Sequence, residues 1–434
     1  MKSQLKQTIG NLSWIISIEM SLPWQTNVDR NISKELLLEG SLIKSLEPVR
    51  KATYLLGILP EWCRYTSCRT TAKIANVLGT VFNLLVVGSL VSYKLYQLVI
   101  SILESPSIHH STPPIVWLLC FSSIFVIQIY FIYQRREMIV FFSAWHVTYQ
   151  KLAPEENLIE LGKVVRSRML CLVTFTGVVL VLVAVLPFVS PQTSMINDKR
   201  ALLIYYPESE DIFTTAVLII LHAIGALVLN VMLSVSDMVP ALTYHHAAVA
   251  IQALDDSLQT IVSIPSKITV PDYHVIEERL LRLWTYHKEV NKLIARTNEL
   301  FGLPLITTHT MILLWLIIQS HIVLFNLNNL DWILVFIYSA NNVLAAVRII
   351  VCVFVINSLQ KSAAKFKATL NEFLTQNWDV LTKREYQLTN IWMYGFEVAD
   401  SLASPCNLYN INRSLLLNIL EILITFIFIL SSMK

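Results

Sequence analysis

Long apolar stretches alternate with polar, charged segments along most of the chain. A helix needs about 20 predominantly apolar residues to cross the hydrocarbon core of a bilayer. Seven stretches meet this requirement, which predicts an all-α integral membrane bundle of seven helices. The predicted spans cover roughly residues 74–93, 115–133, 169–189, 212–235, 303–325, 332–356 and 414–431.

The domain organisation follows from the segments between the spans. We expect a cytoplasmic N-terminal segment, 1–73, followed by one membrane domain, 74–434, because no linker or internal repeat divides the rest. In residues 272–301 apolar side chains recur at intervals of three or four, which predicts a helix that ends at Gly302. Spans four, five and six are therefore expected to continue as helices into the cytosol and to pack there.

The distribution of basic residues predicts the orientation. Of the 33 Lys and Arg residues, 28 lie before the first span or in the segments after spans two, four and six, and four lie on the opposite side. Cytoplasmic segments carry an excess of Lys and Arg, so we expect the N-terminus inside and the C-terminus outside. This orientation is the reverse of that of a G-protein-coupled receptor, and the chain also lacks that class's DRY-like and NPxxY-like motifs.

A few charged and histidine residues lie near or within the spans. Arg348, inside span six, is expected to extend its side chain to the cytosol, and Lys94 is expected at a helix end. The pairs His245-His246 and Asp255-Asp256 follow span four and are expected on solvated helix faces.

Composition narrows the function classes. The chain is 55% hydrophobic and 15% charged, with a net charge of +3 and no basic tract, so we expect no nucleic-acid partner. No HExxH, GxSxG or Walker motif is present, so we predict no catalytic site, metal site or cofactor. The six cysteines are expected to be free thiols.

The seventh span carries a polar stripe. Ser414, Asn418, Glu421, Thr425 and Ser432 fall within about 60° of one another on a helical wheel, among Leu, Ile and Phe residues. Such a stripe fits a pore wall, and it equally fits hydrogen bonding to neighbouring helices.

Phe428 and Ile429 interrupt the stripe near its outer end. They fit an apolar gate, and they fit ordinary packing equally well.

Aromatic and amide residues recur in the outer halves of the other spans. Such residues form small-molecule pockets, although each one alone also fits packing or an interfacial aromatic belt. The candidate ligand-binding residues are Trp117, Thr215, His222, Trp315, Gln319, Tyr338, Asn341 and Asn342. With no carboxylate among them, the ligand is expected to be neutral or apolar.

The C-terminal region contains Phe396-Glu-Val-Ala-Asp and a run from Asn407-Leu-Tyr-Asn-Ile-Asn-Arg-Ser to Thr425-Phe426. These segments resemble the end of insect gustatory receptors. The family typically ends its seventh span with Thr-Tyr, five apolar residues and Gln-Phe; here Phe426 replaces the Tyr and Ser432 replaces the Gln. The chain length, the seven spans, the inside N-terminus and the helix before span five also look like the family.

The resemblance implies a tastant-gated, non-selective cation channel in the plasma membrane of a sensory neuron. It implies a homo- or hetero-tetramer with other gustatory receptors, surrounded by membrane lipid. It also implies a central pore lined by the seventh helix and a small-molecule tastant pocket in each subunit, open to the outside. The expected pore-lining residues are Ser414, Asn418, Glu421, Thr425, Phe428 and Ser432.

The ligand class and the subfamily leave alternatives open. Sugar receptors of the family often carry Glu directly after Thr-Tyr, where this chain has Ile427, so a bitter-type or other non-sugar tastant is expected. A fructose-type receptor, which also lacks that Glu, and an odorant receptor of the sister family remain alternatives. A membrane transporter is a further alternative from another class, although the inverted repeats and broken helices it predicts are not evident in the sequence.

Overall fold

The part of the chain that the computed structural model describes is helical and contains no strand. It comprises residues 70–104, 108–152, 167, 174, 212–262, 273–325, 332–377, 381–395 and 402–432. The α-helices there are α1 (Thr70–Glu104), α2 (Ile108–Tyr133), α3 (Arg135–Leu152), α4 (Ile212–Val262), α5 (Tyr273–Phe325), α6 (Trp332–Gln376), α7 (Lys383–Gly395) and α8 (Arg413–Ser432). The predicted all-α class is confirmed.

Four of these helices contain a stretch long and apolar enough to cross a membrane. The stretches are Val77–Leu103, Ile115–Tyr133, Ile276–Ser320 and Ser339–Gln376. Helices α4 and α8 lie where the fourth and seventh spans were predicted. The third predicted span, 169–189, falls outside the described residues, as does nearly all of the N-terminal segment 1–73.

The three longest helices extend well beyond the length of one bilayer crossing. Helices α4, α5 and α6 have 51, 53 and 45 residues, and they pack against one another. The apolar repeat predicted in 272–301 forms part of their common core, where Leu280, Val290 and Phe301 are fully or almost fully buried. The predicted continuation of these spans as packed helices is therefore confirmed.

Gly302 does not end a helix, contrary to the sequence-based prediction. Helix α5 passes through it without a break. A single glycine costs a helix only about 1 kcal/mol relative to alanine, which tertiary packing on both sides readily offsets. The absence of a side chain at Gly302 serves a close contact instead, which is described below.

Arg348 lies in a buried ion pair and does not extend to the cytosol. Its Nε and Nη2 atoms both lie 2.9 Å from Oδ2 of Asp237 on α4. The two side chains are 5% and 2% exposed. An ionisable side chain within a span is costly unless it is paired, and this pair joins α6 to α4.

Other charged and histidine residues are also less exposed than the sequence suggested. Asp255 is buried and forms an ion pair with Lys365 of α6 at 2.6 Å, whereas Asp256 is exposed as expected. His246 is buried, and this burial, helped by the neighbouring His245, lowers its pKa to about 3. These residues therefore contribute to the helix core, which a sequence-local view cannot reveal.

Lys94 lies inside α1 and not at a helix end. The helix continues to Glu104, and the Lys94 side chain is buried, with Nζ donating a hydrogen bond to Oε1 of Gln97 at 2.6 Å.

The buried ion pair generates a stability prediction. Arg348→Met leaves Asp237 as a buried carboxylate without its partner, and we expect a loss of about 3–5 kcal/mol of stability. Thermal unfolding of the detergent-solubilised protein measures this loss. Replacing both residues, as Arg348→Met with Asp237→Leu, should recover much of it because no isolated charge remains.

The matched control is the exposed pair Arg282–Glu278 on α5, whose side chains are 62% and 71% exposed. Arg282→Met should cost less than about 0.5 kcal/mol. Equal losses in Arg348→Met and Arg282→Met would contradict a structural role for the buried pair.

Candidate pore helix and ligand pocket

The start of α8 is fixed by a capping residue and by α6. The Oδ1 atom of Asn412 accepts hydrogen bonds from the Leu415 backbone N–H at 3.3 Å and from the Ser414 hydroxyl at 2.5 Å. Asparagine is a favoured N-cap because its side chain satisfies amide groups that the first turn leaves open. The guanidinium of Arg413 lies over the Phe354 ring of α6, 5.3 Å from its centroid.

One face of α8 packs on the rest of the subunit. Leu415, Leu416, Ile419 and Leu423 are half-buried against the hydrophobic core, and the helix contacts α5 and α6. On a wheel of about 100° per residue these four side chains span roughly 100° on one side of the helix. This side holds α8 against its own subunit.

The predicted polar stripe lies on the opposite side of α8. Every stripe residue is exposed within the single chain, as is Phe428, at 75%. The exposed stripe residues are Ser414, Asn418, Glu421, Thr425 and Ser432. On the same wheel the centre of the stripe lies about 140–150° from the centre of the packed face. Hydrogen bonding to neighbouring helices of the same subunit therefore does not explain the stripe within the described part of the chain.

The polar groups of the stripe differ in their hydrogen bonding. The hydroxyl of Thr425 donates to the Glu421 carbonyl at 2.8 Å, and that of Ser432 donates to the Ile429 carbonyl at 2.7 Å, so both are satisfied within the helix. The Glu421 carboxylate forms no hydrogen bond or ion pair with the described residues. An exposed carboxylate at this position needs water or other protein around it.

The aromatic candidates come together between α2 and α5. The Trp117 ring is stacked on Phe121, with ring centroids 5.6 Å apart and planes inclined by 17°. It also meets Trp315 of α5 edge-on, at 5.6 Å and 84°. Such aromatic pairs contribute about 0.5–1.5 kcal/mol beyond the area they bury. The three rings form an apolar wall between α2 and the C-terminal half of α5.

Polar atoms without partners lie beside this wall. Gln319, one turn after Trp315, is 4% exposed, and its Oε1 atom has no hydrogen-bond partner among the described residues. The same holds for Trp315 Nε1 and for Asn342 Oδ1. Asn342 on α6 approaches α5 through Nδ2, which lies 3.5 Å from the Ser320 hydroxyl. Buried polar groups are normally hydrogen-bonded, so this free donor and these two free acceptors can accommodate a polar partner. Gln128 and Trp145, elsewhere in the described helices, also carry such atoms.

The other ligand-site candidates are less well placed. Asn341 is half-buried on α6. Thr215, His222 and Tyr338 lie in helices α4 and α6, but their side chains fall outside the described part of the structure. The sequence-based candidates did not include Phe121 and Ser320. Phe121 lies four residues after Trp117, which puts both rings on one face of the helix, and Ser320 directly follows Gln319. Among the described residues no group of His, Cys, Asp and Glu could hold a metal ion.

Comparison with solved structures shows the same architecture. The insect olfactory receptor OR5 from Machilis hrabei matches over 91% of this chain and 99% of its own, with 13% sequence identity and a TM-score of 0.66. The same receptor in complex with eugenol matches over 91% of this chain and 98% of its own, with 12% identity and a TM-score of 0.65. At this identity the likeness establishes the fold alone.

Sequence comparison establishes the family. No curated protein matches this chain. A family model described as 7tm Chemosensory receptor matches residues 46–431, which include nearly all of the described helices. The chain therefore belongs to the 7tm chemosensory receptor family.

Proposed function

We propose that the protein is a gustatory receptor that acts as a tastant-gated, non-selective cation channel. The observation that carries this proposal is the arrangement of α8, whose polar stripe points away from its own subunit and includes the exposed carboxylate of Glu421. If this carboxylate faced lipid, its burial would cost several kcal/mol of free energy. If it faces a water-filled conduit, it stays hydrated and attracts cations.

A tetramer of α8 helices accounts for the rest of the exposed surface of this helix. Apolar residues border the stripe on both sides: Leu417, Leu420 and Ile424 on one side, and Ile422 and Ile429 on the other. Around a central axis, these borders would contact neighbouring copies while the stripe faces water. The partner copies can be this chain or other gustatory receptors, which makes the assembly a homo- or hetero-tetramer.

The proposed ligand is a neutral tastant with an apolar, partly aromatic body. The wall formed by Trp117, Phe121 and Trp315 would contact that body, and the free polar atoms of Trp315 and Gln319 would bind a hydroxyl or carbonyl group. A charged group is not matched by any of these side chains. Together with Ile427 in the position where sugar receptors often carry Glu, this favours a bitter-type or other non-sugar tastant.

The channel is proposed to lie in the plasma membrane of a sensory neuron, with the N-terminus in the cytosol. The basic residues before the first span and after spans two, four and six support this orientation. It places the pocket toward the outside and the start of α8 toward the cytosol.

An odorant receptor of the sister family is the second candidate, and the aromatic wall is the observation that favours it. The OR5 chain is covered almost completely, and one of its structures holds eugenol. A pocket lined by aromatic rings suits a volatile aromatic compound as well as a bitter one. A panel that contains bitter compounds, sugars and volatile aromatics separates the two candidates by which compounds evoke current.

The pocket generates a prediction about ligand sensitivity. Gln319→Ala, Asn341→Ala and Trp315→Ala should each raise the half-maximal ligand concentration, for Gln319→Ala by about tenfold, which corresponds to about 1.4 kcal/mol and one lost hydrogen bond. Whole-cell currents in cells that express the protein give the dose–response curves, and surface labelling confirms equal expression.

Leu314→Ala is the matched control, because Leu314 precedes Trp315 but is 37% exposed on the outer surface of the subunit. Its dose–response curve should match that of the wild type. If all three pocket variants also match the wild type, the ligand binds elsewhere.

The pore generates a prediction about conduction. Four copies of Glu421 would place a ring of carboxylates around the conduit, which attracts cations and repels anions in surroundings of low dielectric constant. Glu421→Gln should therefore lower the single-channel conductance or the divalent permeability, and Glu421→Lys should nearly abolish cation current. The half-maximal ligand concentration of Glu421→Gln should change little, because the pocket lies in a different part of the bundle.

Glu278→Gln on the exposed surface of α5 is the control for a lost negative charge, and it should leave conductance unchanged. Unchanged conductance and reversal potential in Glu421→Lys would show that the stripe does not line the conduit.

A further inference from the structure

The residues that lead into α8 form an irregular segment that lies on α5. Residues 402–412, here called the lead-in segment, contain a short 3₁₀ turn at Pro405–Asn407 and otherwise no regular helix before α8 begins. Two backbone hydrogen bonds stabilise it internally, from Ile411 N–H to the Ala403 carbonyl at 2.9 Å and from Leu408 N–H to the Pro405 carbonyl at 3.0 Å. Its remaining backbone groups need partners outside the segment.

Asn298 of α5 supplies such partners through a single side chain. Its Nδ2 donates to the Leu402 carbonyl at 3.0 Å, and its Oδ1 accepts from the Ser404 backbone N–H at 2.9 Å. The same Oδ1 accepts from the Tyr244 hydroxyl of α4 at 2.6 Å. The donor and the acceptor of the amide each meet complementary groups, so only this orientation of the amide satisfies all three contacts. One amide thus connects α4, α5 and the lead-in segment.

Two further contacts attach the lead-in segment to the same face of α5. A Cβ atom at Gly302 would lie 2.5 Å from Cys406 Sγ and 2.6 Å from Cys406 N, so the backbone of the segment rests directly against the glycine. Cys406 itself has a φ of 49°, in the left-handed region. Further along, the Tyr409 hydroxyl lies 2.7 Å from His309 Nδ1. Positions 298, 302 and 309 fall within about 40° on the helical wheel, so they form one attachment line on α5.

Helix α5 also carries the pocket residues Trp315 and Gln319. It is continuous from Tyr273 to Phe325, and Trp315 lies 17 residues beyond Asn298, which is about 25 Å along the axis. Pro304 lies between the two regions and removes one helical hydrogen bond, but the helix continues through it. A ligand that shifts or tilts the pocket end of α5 would therefore also move its attachment line. The attachment line in turn holds the residues immediately before α8.

We propose that Asn298 is a positioning residue for channel opening: it couples movement of α5 at the ligand pocket to the base of the pore helix α8. This inference rests on the proposed channel function and adds the route by which ligand binding reaches the pore. Without the Asn298 contacts, α5 moves under the lead-in segment without carrying it, and ligand binding no longer shifts the open–closed equilibrium fully.

The test uses single-channel recording of the full-length protein with a ligand that opens the wild type. Asn298→Ala should lower the ligand-bound gating constant, the ratio of open to closed channels, by about fivefold or more, which is the lower end of typical coupling between sites. Single-channel conductance and reversal potential should stay at wild-type values, because Asn298 does not line the conduit. A residue needed only for folding would reduce the number of channels and leave the gating constant unchanged.

Two additional variants keep the test decisive. Tyr244→Phe removes only the hydroxyl that bonds to Asn298 and should lower the gating constant in the same direction by a smaller factor. Combined with Asn298→Ala it should add little, because both remove the same hydrogen bond. Thr297→Val is the matched control: the neighbouring Thr297 hydroxyl bonds only to the Leu293 carbonyl of its own helix, so gating should be unaffected.

The outcomes separate the two proposals. A wild-type protein that opens while Asn298→Ala and Tyr244→Phe gate normally overturns the coupling role and leaves the channel proposal intact. If Asn298→Ala does not reach the membrane, Tyr244→Phe decides, and normal gating in that variant overturns the coupling role. An equal fall of the gating constant in Thr297→Val would also overturn the coupling role of Asn298. A wild-type protein silent to the whole ligand panel overturns the channel proposal and this inference together.

Discussion

The exposed carboxylate of Glu421 is the constraint on which the rest of the account depends. A charged group on a membrane helix requires water or protein around it, and within its own subunit Glu421 has neither a hydrogen bond nor an ion pair among the described residues. Within the described part of the chain, helix α8 packs against its subunit through one face, and this face is apolar. In the proposed assembly, neighbouring copies and a water-filled conduit would surround the polar face.

Buried polar groups in the helix core differ in their partners, and some, such as Asp237 with its unpartnered Oδ1, are only partly satisfied among the described residues. Asp237 and Arg348 are paired with each other, which makes them part of the scaffold that holds α4 to α6. Trp315, Gln319 and Asn342 each keep an atom without a partner among the described residues, and they do so beside an aromatic wall. Paired groups stabilise the folded protein whether or not ligand is bound. A group without a partner adds to the stability of the folded protein only when a ligand supplies that partner.

Hydrophobic periodicity predicted most of the fold, because apolar length and spacing are local properties of the chain. It indicated the helix positions, the continuation of α4, α5 and α6 beyond one bilayer crossing, and the stripe on α8. It failed where the partner lies far away in sequence. Local patterns predict solvent exposure for Arg348 and Asp255, because their partners, Asp237 and Lys365, lie about 110 residues away in the sequence.

Gly302 shows the same limit of local patterns. A glycine after an apolar repeat is typical of a helix end, but here it allows the close approach of the lead-in segment, which only the folded chain reveals. Similarly, the sequence indicated aromatic and amide candidates for the ligand site without showing that Trp117 and Trp315 touch.

Chemical accessibility along α8 tests the central claim most directly. Asn418→Cys places a thiol on the polar stripe, and Ile419→Cys places one on the packed face one residue away. A positively charged, membrane-impermeant thiosulfonate applied to ligand-opened channels should block current through Asn418→Cys and leave current through Ile419→Cys at the level of reagent-treated wild type. Current through Asn418→Cys that is insensitive to the reagent, together with block of Ile419→Cys, would contradict the assignment of the stripe to the conduit.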